Sequence, residues 1–111
     1  MADTLDPRRA WEPYRPDRSN PWGLRKAGHL YRRAAFGATW AELQEALEQG
    51  PQETIDKLLS GGPGLEAFDR QMQPLADSIA RANNPEQAKA WWLYRMLYSP
   101  HPLREKMTLF W

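Results

Sequence analysis

The segment 87–111, QAKAWWLYRMLYSPHPLREKMTLFW, constrains the fold of this chain more than any other part of it. It holds three of the six tryptophans and two of the four tyrosines. From Trp91 to Tyr98 the only charged residue is Arg95. A helix that is apolar on nearly every side belongs in a protein interior, because it has no polar face to offer to water. We therefore expect this segment to pack against other polypeptide.

The last residues continue the apolar pattern. Leu103, Met107, Phe110 and Trp111 recur at i, i+4, i+7 and i+8, which places them in one stripe of a helix. No cap, helix breaker or polar run follows the stripe. We interpret the sequence as interrupted at Trp111, with the stripe packing on the missing C-terminal part of the same chain. The residues assigned to this buried core or interface are Trp91, Trp92, Arg95, Phe110 and Trp111.

Composition predicts an all-α fold. Valine is absent, isoleucine occurs only at two positions, and alanine, leucine, glutamate, glutamine and arginine are abundant. These residues favour helix over strand, and no segment alternates polar and apolar residues as a strand does. We expect five or six short helices with Gly/Pro connections, in a segment 23–111 that forms the N-terminal part of a larger helical domain.

An extended N-terminal arm is predicted over residues 1–22. Four prolines recur there among three aromatic residues, and proline spacing this tight excludes a long helix. We expect residues 1–10 to be disordered, and residues 11–22 to lie on the surface of the helical segment through their aromatic side chains.

The first helix is predicted from about residue 23 to residue 36, with Gly37 as its stop. Its apolar face consists of Leu24, Ala27, Gly28, Tyr31 and Ala35. The second helix begins with a capping box, in which Thr39 is the N-cap and Glu42 lies three residues on. Its predicted inward side chains are Trp40, Leu43, Ala46 and Leu47, and Gly50 ends it.

Proline and glycine mark the remaining boundaries. Pro51 opens a third helix with Ile55, Leu58 and Leu59 on its apolar face, and residues 60–64, SGGPG, end it. Residues 65–82 form a weaker helical pattern, in which Pro74 predicts either a kink or a helix start. Asn84 caps a helix over 85–98, and Pro102 opens the last helix.

Three phrases of the sequence resemble one family. They are WGLRKAGHLYRRAAFGAT at 22–39, TIDKLL at 54–59, and WWLYRML at 91–97 with PLREKMTLFW at 102–111. In this order they resemble the beginning of the bacterial domain-of-unknown-function 1800 (DUF1800) family. The resemblance implies a mostly helical protein several times longer than this chain, with no agreed biochemical activity. It also implies a continuation into a histidine-containing stretch, so a metal or catalytic role of those histidines has no counterpart in these residues.

A basic face on the first helix is the candidate anion-binding site. Residues 1–37 carry eight Lys/Arg against four Asp/Glu, whereas residues 38–111 carry seven against ten. Arginine forks suit phosphate, and a histidine adds a charge that switches near neutral pH. The alternative is a solvated or ion-paired face that meets the acidic second helix through Glu42, Glu45 and Glu48. The residues of the basic face are Arg25, Lys26, His29, Arg32 and Arg33.

Arg95 needs a partner if it is buried. The sequence offers Glu86, Glu105 or a residue of the missing part, and stacking on Trp91, Trp92 or Tyr98. His101 and Glu105 have a spacing suited to two ligands on one helix face. However, a single histidine and a single carboxylate do not make a metal site.

No catalytic constellation is recognisable, because the sequence lacks the G-x-S-x-G, Walker-type and H-E-x-x-H motifs. The helices on either side of Gly50 could form a helix-turn-helix, but the second is acidic and suits DNA poorly. The sequence therefore disfavours a nucleic-acid partner bound through these two helices. No cysteine, signal peptide or membrane span is apparent, so a soluble cytoplasmic protein is the default expectation.

Three functions remain compatible with the sequence. The leading hypothesis is a structural helical segment of an uncharacterised DUF1800-type protein. One alternative is a binding module, in which the basic face of the first helix and the aromatic arm contact an anionic partner, either an acidic protein or a nucleic acid. The other is an inert part of an enzyme whose site lies beyond Trp111. Cofactors and the oligomeric state are not determined by the sequence.

Overall fold

A computed structural model describes residues 6–111 of the chain, so the predictions for residues 1–5 fall outside it. A 3-10 turn at Arg9–Trp11 precedes six helices, and no strand occurs in the described part. The predicted all-α fold is confirmed. The helices are α1 (Leu24–Ala34), α2 (Trp40–Gln49), α3 (Pro51–Ser60), α4 (Leu65–Ala82), α5 (Pro85–Tyr98) and α6 (Pro102–Phe110).

The predicted start signals act as expected. The Thr39 hydroxyl accepts a hydrogen bond from the Glu42 backbone N–H, and the Glu42 carboxylate accepts one from the Thr39 N–H at 2.6 Å. Both members of the capping box are therefore present. Asn84 caps α5 through its side-chain oxygen, and α3, α5 and α6 each begin with a proline at the first helical position.

The first three helices enclose the main core. Ala27, Tyr31 and Ala35 of the first helical region are buried against Ala46 and Leu58. Small alanines allow the helix backbones to approach closely, while Tyr31 supplies the bulk. This core confirms three of the positions predicted for the apolar face of α1.

The other half of the molecule is a helical hairpin formed by α4 and α5. Helix α6 connects this hairpin to the core. Helix α4 packs on α5, and α6 contacts α1, α3 and α5. Met72 is buried in the hairpin, and its carbonyl accepts a hydrogen bond from the Trp91 indole at 3.3 Å. The rings of Phe68 and Tyr94 stack with their centroids 6.4 Å apart.

Lys106 joins α6 to the end of α1. Its ammonium donates to the carbonyls of Arg32 and Ala35, the latter at 2.8 Å, and lies 5.9 Å from the centroid of the Phe36 ring. A cation at a helix C-terminus complements the negative end of the helix dipole and satisfies carbonyls that the helix leaves free. A side chain of α6 thus caps the C-terminal end of α1.

The molecule is elongated. Its radius of gyration is 18.0 Å, and its principal extents are 62 × 30 × 19 Å. A compact domain of this length has a radius of gyration of about 13 Å. The accessible surface is 9003 Å², against roughly 6,300 Å² for a compact protein of this mass. The elongated shape therefore leaves more surface accessible than a compact domain of this mass would.

Helix α1 ends earlier than predicted. Ala34 is its last residue, and Ala35 adopts an extended backbone with φ −146°, so Gly37 lies beyond the helix end. The predicted stop at Gly37 is therefore wrong. The extended Ala35 lets its side chain remain in the core and its carbonyl meet Lys106.

Pro74 neither starts a helix nor divides one, because α4 is a single helix of 18 residues. A proline within a helix removes one backbone hydrogen bond, to the carbonyl four residues earlier. That carbonyl belongs to Arg70, and both residues are exposed. Water can therefore replace the missing donor.

Three side chains on predicted apolar faces are exposed, namely Leu24 at the start of α1, Trp40 and Leu59. Trp40 lies in the first turn of α2, beside the non-helical connection 35–39, which does not cover the indole. Leu59 is exposed because it lies about 100° around α3 from the buried Leu58. The prediction was wrong at these positions. Helical spacing predicts which residues share a face of a helix, but not how much of that face a neighbouring helix covers.

Only part of the arm packs on the helices. The Trp22 indole donates to the Ala46 carbonyl at 2.9 Å, and the Tyr14 hydroxyl donates to the Asn20 carbonyl at 2.9 Å. Trp11 is almost fully exposed. The prediction that the whole of residues 11–22 docks is therefore wrong at Trp11.

Candidate functional site

The basic face of α1 borders a surface depression that we call the basic groove. Helical spacing aligns Arg25, His29 and Arg32 along one edge, because they lie four and three residues apart. The groove has a volume of about 750 Å³. Its lining residues are Tyr14, Asn20, Trp22, Arg25, Lys26, His29, Leu30, Arg32, Arg33, Pro51 and Ile55. All five predicted anion-binding residues are thus brought together.

The arm builds one wall of the basic groove. The rings of Tyr14 and Trp22 lie 6.2 Å apart, and the Lys26 ammonium is 4.8 Å from the centroid of the Tyr14 ring. The binding-module hypothesis combined the aromatic arm with the basic face, but it did not single out Tyr14 or Trp22 as lining residues. The available signal was the closeness in sequence of the aromatic arm to Lys26. The contact itself depends on how the arm folds, which the sequence does not show.

The acidic second helix does not neutralise the basic face. Over residues 6–111 no ion pair joins any of the five basic side chains to a carboxylate. Glu45 instead pairs with Lys57 at 2.8 Å, and this hydrogen bond to Lys57 lowers the pKa of the Glu45 carboxyl. Glu42 is used in the capping box. The ion pairs between the basic face and the second helix, which the alternative predicted, are therefore not formed among residues 6–111.

A second cluster of charged side chains joins α4, α5 and α6. Arg95 donates to the Glu105 carboxylate at 2.9 and 3.1 Å, and Arg104 donates to both oxygens of Asp69 at 2.7 and 3.0 Å. Arg95 also lies 3.5 Å from Asp69. Glu105 is only 3% exposed, so Arg95 compensates a buried negative charge.

The surroundings of Arg95 were predicted in part. Its pairing with Glu105 and its contact with Trp91, at 5.2 Å from guanidinium to ring centroid, are confirmed. The pairing with Glu86 is wrong, since Glu86 binds Lys89. Phe68, at 5.6 Å from the guanidinium, and Asp69 were missed, because both lie on α4 far along the sequence.

The hydrogen bonds from Arg104 lower the pKa of the Asp69 carboxyl, and the charge of Arg95 adds to this effect. Asp69 is therefore ionised over a wider pH range than an ordinary aspartate. The same bonds raise the pKa of the Arg104 guanidinium. Each of these four charged groups is thus paired with another group of the cluster.

His101 has a capping role. Its Nδ1 accepts a hydrogen bond from the Arg104 N–H at 3.2 Å, and Glu105 is held by Arg95. The two side chains thus have protein partners. No group of three or more potential metal ligands occurs in residues 6–111.

Many large apolar side chains of the last two helices are exposed, and we call this group of side chains the α5–α6 apolar surface. Leu97 is 67% exposed, Phe110 74% and Trp111 90%, whereas Trp91, Trp92 and Arg95 are half-buried. Its exposed members are Leu93, Tyr94, Leu97, Tyr98, Met107, Leu109, Phe110 and Trp111. The α1–α3 core does not reach them.

A cleft of about 620 Å³ separates the core from the start of α6. Tyr31, Phe36 and Lys57 line one side, and Leu97 and Pro100 line the other. Burial raises the pKa of the Tyr31 hydroxyl. The cleft thus adds a partly polar floor beside the α5–α6 apolar surface.

Comparison with known families places this geometry in context. The family model described as a protein of unknown function, DUF1800, matches residues 29–111, which is more than half of the chain. The chain belongs to the DUF1800 family. The predicted resemblance is confirmed, and the arm with the first five residues of α1 lies outside the matched range.

The DUF1800 phrases meet in space. Lys106, from the last phrase, binds the carbonyl of Arg32 and that of Ala35, from the first phrase. Lys57, from the middle phrase, faces the cleft beside Tyr31.

Neither the curated proteins nor the solved structures contain a match to this DUF1800 chain. Among the helices of residues 6–111, none combines the length and the apolarity that crossing a bilayer requires.

Proposed function

We propose that this part of the DUF1800 protein is a structural platform, on which the polypeptide that follows Trp111 packs. The α5–α6 apolar surface carries the proposal. Soluble proteins rarely leave so many large apolar side chains exposed together, because each loses the favourable free energy of burial.

The continuation of the same chain is the occupant that best fits. The DUF1800 resemblance implies a longer helical protein, and α5 and α6 offer the i, i+4 rows that a further helix packs against. Leu93 and Leu97 form one such row, and Tyr94 and Tyr98 form another, with ring centroids 4.6 Å apart. A second copy of this chain is the competing occupant.

Charge insertion at matched positions tests the proposal. In the protein encoded by the complete reading frame, we expect Leu97→Glu to lower the free energy of unfolding by about 2 kcal/mol or more, because it buries a charge. Leu59, 62% exposed on α3, provides the control, and Leu59→Glu should change stability by less than about 0.5 kcal/mol.

Equal effects of the two substitutions would overturn the proposal. So would a concentration-dependent dimer of the 111-residue chain that Leu97→Glu dissociates, since a second copy would then be the occupant.

We propose a second function for the basic groove, which is binding of an anionic partner. Five basic groups share one groove without an acidic partner among residues 6–111. Binding should weaken with rising salt, because screening reduces attraction between exposed charges. The absence of binding to any polyanion at low salt would remove this proposal.

A further inference from the structure

We infer that the basic groove binds an acidic amphipathic helix of a partner protein, with the carboxylates of that helix on the basic rim and its apolar side chains on the groove floor. This inference rests on the anion-binding function proposed above and specifies the class of the anion.

The electrostatics of α1 favour a negatively charged partner. Arg25 and Lys26 occupy its first turn, which contains no acidic residue. Positive charge at the N-terminus of a helix is unfavourable, because it faces the positive end of the helix dipole. Carboxylates on the rim would relieve both this repulsion and the repulsion among the basic side chains.

The floor of the basic groove favours aliphatic side chains. Leu30, Pro51 and Ile55 line it, and each is half-buried. A purely polar polyanion would leave this floor in contact with water. An amphipathic helix would cover it, and its Leu or Ile side chains would gain about 25 cal/mol for each Å² of apolar surface removed from water.

The aromatic residues of the groove disfavour nucleic acid. Base binding by aromatic platforms requires an open ring face. Lys26 covers a face of Tyr14, while Trp22 packs on the core and donates its indole N–H to Ala46. These rings therefore build the wall instead of offering stacking platforms.

The length of the site suits a short helix. The 11 residues of α1 span about 16 Å at 1.5 Å per residue. A partner helix of about three turns, with Glu at i, i+4 and i+7, would align its carboxylates with Arg25, His29 and Arg32.

Fluorescence anisotropy with three labelled probes tests the inference. The first is a helical peptide of about 12 residues with a Glu row beside a Leu row, and the second replaces each Leu by Ser. The third is an oligothymidylate of about 12 nucleotides. We expect the Leu-containing peptide to bind about tenfold more tightly than the Ser peptide, since several buried side chains contribute, and more tightly than the oligonucleotide.

Substitutions locate the binding. Arg32→Ala with Arg33→Ala should weaken binding of the Leu-containing peptide about fivefold or more, because each exposed charge contact contributes a fraction of a kcal/mol. Arg70→Ala with Arg81→Ala removes two exposed arginines of α4 and should change binding less than twofold. Circular dichroism checks that both variants keep their helix content.

The outcomes separate the two proposals. Equal binding of the Leu and Ser peptides, or preference for the oligonucleotide, would overturn the amphipathic-helix inference while leaving anion binding in place. Binding of none of the three probes at low salt would overturn both. Equal weakening by the α1 and α4 variants would place the site elsewhere and overturn the inference.

Discussion

At the scale of single residues, the contact between Arg95 and Glu105 shows what a sequence can and cannot predict. A lone arginine in an aromatic helix requires a carboxylate, and Glu105 was one of two candidates within reach along the chain. The sequence could not choose between Glu86 and Glu105, because the choice depends on how α6 turns back on α5. The contribution of Asp69 could not be predicted for the same reason, because it depends on how α4 packs beside α5 and α6.

Removing the arginine should destabilise the protein strongly. Arg95→Ala removes both hydrogen bonds to the buried Glu105 carboxylate and leaves it only Arg104 Nε, 3.6 Å away, which should cost about 3 kcal/mol in the free energy of unfolding. The double variant Arg95→Met with Glu105→Leu removes both charges and should recover most of this loss. Urea unfolding measures both, with the exposed Arg81→Ala as a control expected to change stability by less than about 0.5 kcal/mol. A double variant no more stable than Arg95→Ala would contradict this account.

Asp69 should make stability depend on pH. Its pKa is lowered in the folded protein by Arg104 and Arg95, so the ionised form stabilises the fold above the ordinary aspartate pKa of about 3.9. This contribution is lost as the pH falls from that value through the lower folded pKa. Urea midpoints measured from pH 5 downward should therefore fall less steeply for Asp69→Asn than for the unchanged protein. Identical slopes would show that Asp69 does not contribute.

At the scale of elements, the helix starts were predictable because their signals are local. The Thr39 and Glu42 capping box, the Asn84 cap and three opening prolines act within a single turn of helix. The ends of the helices and their buried faces were less predictable, because they depend on contacts with residues distant in the sequence. Ala35 leaves α1 early where Lys106 meets its carbonyl, and Trp40 remains exposed because no neighbour covers the first turn of α2.

The corner between α3 and α4 depends on Gly61. This residue has φ +88° and ψ 157°, a conformation essentially restricted to glycine. A Cβ atom there would lie 2.7 Å from Leu65 Cδ2 and 2.9 Å from His101 Cδ2. Gly62 then donates to the Pro100 carbonyl at 2.7 Å. The corner thus packs against the break between α5 and α6.

Gly50 provides a matched control for this corner. It has nearly the same backbone, with φ 86° and ψ 173°, but no atom lies within 4 Å of the position its Cβ would take. Both Gly→Ala substitutions strain the backbone, and only Gly61→Ala adds a steric clash. We expect Gly61→Ala to cost about 1–3 kcal/mol more in thermal unfolding. Equal losses would mean that the corner tolerates the extra atom.

At the scale of the whole molecule, a small core carries a large uncovered surface. The sequence predicted this through the apolar pattern of segment 87–111, and it predicted the grouping of five basic residues on α1. It did not predict the groove beside them, because the wall made by Tyr14 and Trp22 depends on the arm folding back onto α2. It also did not predict the separation of the α1–α3 core from the α4–α5 hairpin.

The central claim is that polypeptide following Trp111 covers the α5–α6 apolar surface in the complete protein. Hydrogen exchange tests it by comparing the amides of α5 and α6 in the 111-residue chain with those in the product of the complete reading frame. We predict that these amides exchange about 100-fold or more slowly in the longer protein, because covering raises the free energy of local opening, while the amides of α2 change little. Equal exchange in the two proteins, or a reading frame that stops at Trp111, would contradict the claim.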